Sequence, residues 1–224
     1  MKKVFRKLAL LSVAMLLAFA GCEKDPGSEN DRGNNGGGDT GNVSGTIAEH
    51  DYVDLGLPSG LKWATCNVGA SQPHGYGNYY AWGETSSKTS YTENNSTTMG
   101  QPMSDISGNA TYDVATANWG STWRMPTKAE MEELRDNCTW TWTTQNAVNG
   151  MKVTGSNGNS IFLPAAGYCE GTSHSNVGEY GYYWSSTTYE SYDSYAYNLL
   201  FYSGYLKMYW SDRYIGHTVR PVSD

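Results

Sequence analysis

Beyond its first seven residues the chain has no basic run, and its net charge is −7. Binding to phosphate backbones relies on Lys and Arg, so nucleic acid is not an expected partner. Metal-ligand spacings such as CxxC or HExxH are missing among the four cysteines and among His50, His74, His174 and His217. No metal site is therefore expected. No Ser/His/Asp order, nucleotide loop or close carboxylate pair stands out, so neither a catalytic residue nor a cofactor is expected, and the chain does not read as an enzyme. Phenylalanine is scarce, with four residues against eight Trp and eighteen Tyr. Tyr and Trp join a large apolar area to a polar handle, which suits contact surfaces as well as cores.

What is present begins with an export signal. MKKVFRK carries four positive charges, and an apolar stretch over residues 8–20 stops at Gly21-Cys22. A basic start, a short apolar core and small residues before the cut describe a secretory signal over residues 1–21. The stretch is too short to span a bilayer comfortably, since a spanning helix needs about 20 residues. Phe19-Ala20-Gly21 before Cys22 resembles a bacterial lipobox, although Phe19 stands where Leu is usual. Lipidation of Cys22 would anchor the chain to the membrane, because each buried methylene contributes ~0.8 kcal/mol. Ordinary cleavage that leaves a plain cysteine is the alternative. Residues 22–46 form the expected tether, rich in Gly, Asn and Ser and nearly free of apolar side chains. Such a segment cannot bury enough surface to offset the entropy of ordering it. Its coil span is on the order of 25–30 Å. Glu23 and Asp25 resemble surface-export signals of some Bacteroidetes lipoproteins, which implies the outer membrane and its outer surface.

Residues 47–224 suit one domain. With Cys22 lipidated, Cys66, Cys138 and Cys169 remain. An exported chain can form one bond and keep one free thiol. Cys66–Cys138 is the favoured pair; alternatively all three are small buried hydrophobes. The clearest helix is expected over residues 126–137, where Thr127 and Glu130 form a capping box and Met131 and Leu134 a buried stripe. A second is expected over residues 112–120. Short strands are expected over residues 52–55, 62–66, 79–82, 139–143, 151–154, 161–164, 183–186 and from 195 onward. Two helices among many short strands argue for an α+β fold.

YAYNLLFY and YLKMYW flank Ser203-Gly204, a two-residue turn that fixes register. Tyr202 then faces Tyr205, Leu200 faces Lys207 and Asn198 faces Tyr209. This mixed, aromatic face is expected toward solvent. The other face pairs Phe201 with Leu206, Leu199 with Met208 and Tyr197 with Trp210, and is expected on the core. Eleven of the eighteen tyrosines fall between Tyr180 and Tyr214, among Ser, Asp and Asn. They are either β-formers on a half-exposed sheet or the vocabulary of an adaptable binding surface. The binding reading names Tyr189, Tyr192, Asp193, Asn198, Leu200, Tyr202, Tyr205, Lys207, Tyr209, Asp212 and Tyr214.

WGSTWRMPTKAEMEELRDNCTW, GYYWSSTTY and HTVRPV look like the Fibrobacter succinogenes major paralogous domain of Bacteroidetes lipoproteins, as do DYVDLGLPSGLKWATCNVGA and YYAWGET. RMPTKAEMEEL also resembles the RLPTEAEWE signature of formylglycine-generating enzymes and related C-type-lectin-like domains. The resemblance implies a C-type-lectin-like fold whose variable C-terminal surface binds ligands in known relatives. It brings no established activity. Formylglycine generation relies on paired cysteines near the C-terminal end, and no cysteine follows Cys169. Calcium lectins use Glu-Pro-Asn or Gln-Pro-Asp, where this chain has Gln72-Pro73-His74 and Gln101-Pro102-Met103. Fold alone does not assign function. The expectation is a monomeric, lipid-anchored binder of an unknown protein or glycan, the alternative a structural or adhesive subunit associated with fimbriae.

Overall fold

In the computed structural model, residues 43–224 are described. The signal segment, Cys22 and the tether up to residue 42 lie outside the described residues. The expected tether boundary moves, because Gly45 and Thr46 already belong to a strand, β1 (Gly45–Ile47). It pairs with β2 (His50–Asp54), which pairs with β3 (Lys62–Ala64). A long, mostly irregular stretch follows, in which residues 79–82 form not the expected strand but one isolated bridge, Tyr80 to His217.

The first helix, α1 (Val114–Trp119), is capped by Asp113, whose carboxylate accepts from the N–H groups of Ala115 and Thr116. The second, α2 (Lys128–Asn137), carries the expected capping box of Thr127 and Glu130, and buries Met131 and Leu134. Reciprocal capping satisfies two donors that a helix start otherwise leaves unpaired. An antiparallel sheet follows, of β4 (Thr139–Gln145), β5 (Val148–Thr154) and β6 (Ser160–Pro164). A short ribbon joins β7 (Tyr168–Glu170) and β8 (Ser173–Ser175). The last large sheet has the order β11 (Tyr205–Asp212), β10 (Tyr195–Tyr202), β9 (Tyr180–Thr188). Finally β12 (Val222–Ser223) returns to pair with β3. Antiparallel sheets with two α-helices among the described residues make this an α+β fold.

The hairpin of β10 and β11 has the register expected from its turn, with Tyr202 opposite Tyr205 and Tyr197 opposite Trp210. Gly204 takes the positive φ (77°) at which glycine carries no steric cost. Leu199, Phe201 and Met208 enter the main core with Met131 and Leu134 of α2, Trp63 of β3 and Met151 and Val153 of β5. Opposite Phe201 stands Gly181 of β9, and a methyl there would overlap the Phe201 ring. A second core cluster joins Trp82, Val114, Met125, Trp184, Ala196 and Val219. Strands β9 and β10 thus contribute side chains to both clusters.

Three expectations about the hairpin are corrected. Asn198 is wholly buried and Leu200 nearly so, not turned to solvent. The reason is β9, which makes β10 a middle strand and sets Trp184 beside Asn198 and Tyr182 beside Leu200. Conversely Trp210, expected in the core, is 37 % exposed, because it lies near the end of edge strand β11.

The disulfide is also corrected, since Cys66, Cys138 and Cys169 are all free thiols. A bond requires sulfurs about 2 Å apart, and each cysteine has its own surroundings. Cys66 contacts the Thr65 hydroxyl after β3. Cys138 caps α2 against the main core, where burial and then Glu133 push its thiol up to about 11. Cys169 is buried with Ala81 and Tyr91.

Candidate functional site

Two buried arginines set the C-terminal segment in place. Arg220 donates to Asn67 Oδ1 and to the carbonyls of Ala64, Thr65 and Phe162. Arg213 lies 4.5 Å from the Trp82 ring centroid and donates to the carbonyls of Tyr195, Thr98 and Gln101. Between them, residues 214–219 run beside β9 and β7. Gly216 and Cys169 exchange two backbone hydrogen bonds of 2.8 Å, and Trp184 N–H donates to the Thr218 carbonyl. The sheet is thereby extended past β9 by bridges from Tyr183 to Thr218 and from Cys169 to Gly216.

A cleft of about 410 Å³ forms where these pieces meet. Its walls are Tyr168 and Glu170 of β7, Tyr182 of β9, Tyr195 of β10, Tyr209, Trp210, Ser211 and Asp212 of β11, and Tyr214, Ile215 and His217 of the final segment. The volume falls in the range of small-ligand sites, and the lining mixes aromatic rings with hydroxyl and carboxylate groups.

His217 is only 1 % exposed, and neither ring nitrogen has a hydrogen-bond partner. Its ring stacks on Tyr182 (centroids 5.1 Å apart) and lies 4.2 Å from Trp184. Burial pushes its pKa down to about 3, so the imidazole is neutral at ordinary pH. Nearby, Asn198 donates to the Ser211 hydroxyl while its own carbonyl oxygen is unpartnered. On the cleft wall the Tyr214 hydroxyl donates to Glu170 at 3.1 Å; burial and then this bond raise the phenol to about 12. Burial, followed by repulsion from Glu93 and Glu170, holds the Asp212 carboxyl above its ordinary value.

Of the residues expected from sequence, Tyr209, Asp212 and Tyr214 line this cleft. Tyr202 and Tyr205 stack at the hairpin tip with centroids 4.6 Å apart and planes within 7°. From them a path of rings leads inward through Tyr180 and Tyr182 to His217, each step 4.7 to 6.2 Å. Lys207 is exposed, with its ammonium 5.9 Å from the Tyr209 centroid. Tyr189, Tyr192 and Asp193 lie apart from the cleft in and around the β9–β10 connection, though Tyr189 stacks on Trp210 at 5.2 Å. Asn198 and Leu200 are underneath, not on the surface.

The residues missed from sequence are Tyr168, Glu170, Tyr182, Tyr195, Trp210, Ser211, Ile215 and His217. Tyr180 and Tyr182 are two apart on a strand and so share a face, which was a usable signal. Nothing local links Tyr168, Glu170 and His217 to it. Among the described residues, no three of His, Cys, Asp and Glu come together as a metal site.

A family model described as a domain of unknown function (DUF8237) matches residues 128–222. That span contains α2, the strands β4 to β11, the first residue of β12 and every residue of the cleft wall. No curated protein and no solved structure matches the chain.

Proposed function

We propose that the chain is a cell-envelope lipoprotein, anchored through Cys22 at the outer membrane, that displays a non-catalytic binding domain of C-type-lectin-like architecture. Its ligand, a protein or a glycan, is captured by the aromatic surface built from β9, β10, β11 and residues 212–217. The observation that carries this reading is the ring-lined cleft joined to the half-buried, stacked tyrosines of the hairpin tip. Rigid rings offer large contact area at small rotamer cost, and Ser and Tyr hydroxyls supply adaptable hydrogen bonds. The basic start, short apolar core and Ala20-Gly21-Cys22 support export and anchoring.

An array of host and microbial glycans and proteins, probed with the chain, tests the binding role. Capture is expected, and the triple variant Tyr202→Ala, Tyr205→Ala, Tyr209→Ala should reduce it while the far-ultraviolet circular dichroism is kept. Equal capture by the triple variant would remove the proposed surface, and no capture by the parent would remove the role. Labelled palmitate should enter the parent chain and not Cys22→Ser.

A further inference from the structure

The cleft is rich in two kinds of group that seldom serve one neutral guest. Its rings include Trp210, Tyr209, Tyr182 and Tyr214, and its charges are the carboxylates of Glu170 and Asp212. No Lys, Arg, Asn or Gln lines it. The neighbouring guanidinium of Arg213 does not line the cleft: it lies against Trp82 and gives Nε and Nη1 to three backbone carbonyls, while its buried Nη2 has no partner. His217 adds no positive charge, because it is neutral, and its ring nitrogens are unpaired in the buried wall. The cleft is thus a cavity of ring faces with two carboxylates and no Lys or Arg among its lining residues, and with the unpartnered ring nitrogens of His217 in its wall. The quadrupole of an aromatic ring attracts a cation to its face, and the attraction grows when the cation is partly desolvated. The chain already makes one such contact at the rim, between the Lys207 ammonium and the Tyr209 ring.

Resting on the binding role proposed above, we infer that this cleft receives an organic ammonium group. Carboxylates and rings would share the guest. Glu170 and Asp212 neutralise its charge, while Trp210 and the tyrosines cover its carbon shell. Filling the cleft with a cation also relieves the repulsion that Glu93 and Glu170 exert on Asp212. The group can arrive on a small amine or on a lysine side chain of a partner polypeptide, and the chemistry of recognition is the same.

The test titrates the full chain with choline and with 3,3-dimethylbutan-1-ol, its uncharged isostere, by calorimetry and Trp fluorescence. Choline should bind about tenfold or more tightly than the isostere, a difference of about 1.4 kcal/mol. Added salt should weaken choline and leave the alcohol unchanged. Glu170→Gln and Asp212→Asn keep side-chain shape, so each should lower choline affinity several-fold with an unchanged melting temperature, while Trp210→Ala should lower it about tenfold. A lysine-bearing peptide and its acetylated form make the second arm. Binding lost on acetylation assigns the group to a polypeptide, and binding of choline alone assigns it to a small amine. Equal affinity for choline and its isostere, or indifference to both carboxamide variants, overturns the inference. Array capture that survives alongside those results leaves the binding role standing and removes only the ammonium.

Discussion

The two faces of the β9–β10–β11 sheet are made by alternate residues of the same three strands, yet they have different physical tasks. The inner face presents Leu199, Phe201 and Met208 to α2 and β5, and all three are buried in the main core. Its energy comes from apolar area removed from water and from close packing, so missing volume is felt directly. The outer face presents Tyr180, Tyr182, Tyr202, Tyr205, Lys207 and Tyr209, mostly rings with polar ends that stack sideways on one another and stay partly wet. Toward its centre it is not open, because Asn198 and Leu200 are sealed between larger neighbours. Alternation therefore sorts chemistry between faces, while position across the sheet sorts exposure. A middle strand can be buried on its polar side, and an edge strand can leave a tryptophan in water.

The contrast can be broken most severely from inside. Phe201→Ala should cost about 3–5 kcal/mol in chemical denaturation, since the Phe201 side chain is wholly buried. A cost below 1 kcal/mol would show that the inner face is not the main support of the sheet.

His217 gives the next effect, and it appears as a pH dependence. Its folded pKa, about 3, lies below its ordinary 6.5, so the unfolded chain binds the extra proton between those values. Stability from this group is complete above pH 6.5 and falls as pH drops through that window, by up to about 1.4 kcal/mol per unit. His217→Gln should therefore lose less stability between pH 7 and pH 4 than the parent, with denaturant midpoints as the measurement. Parallel curves for the two proteins would remove His217 as the cause.

Gly181→Ala tests the same face from its partner strand. The added methyl has to displace the Phe201 ring, at a cost of about 1–3 kcal/mol. Smallest of all, Tyr205→Ala should change stability by no more than about 1 kcal/mol, because it removes one half-buried stacking pair at the hairpin tip. A loss comparable with that of Phe201→Ala would mean that the outer rings are a second core.

Legibility in the sequence followed the range of the interactions. Thr127 and Glu130 announced the start of α2 because a capping box is complete within four residues. The hairpin register was legible because Ser203-Gly204 leaves the chain one way to pair. The burial of Asn198 was not, since it depends on Trp184 and on β9, a strand whose pairing partner local pattern does not name. Nor was the free state of Cys66 and Cys138, because a count of cysteines says nothing of the distance between them. For the candidate site the sequence pointed to Tyr209, Asp212 and Tyr214, all close to the hairpin. Tyr168, Glu170 and His217 escaped because they are brought in by the Cys169–Gly216 pairing, across more than forty residues of chain.

By itself, then, the sequence determined the helix caps, the strand periodicity, the hairpin register and the concentration of tyrosine toward the C-terminal end. Each of these is decided by residues within a turn or two of one another. Only the tertiary structure decided which side of each strand meets water, that the three cysteines stay apart as thiols, and that Glu170 and Asp212 share one ring-lined cleft with a neutral His217. Those outcomes depend on desolvation and on pairing between distant segments, and both arise only once the final strands have closed across the sheet.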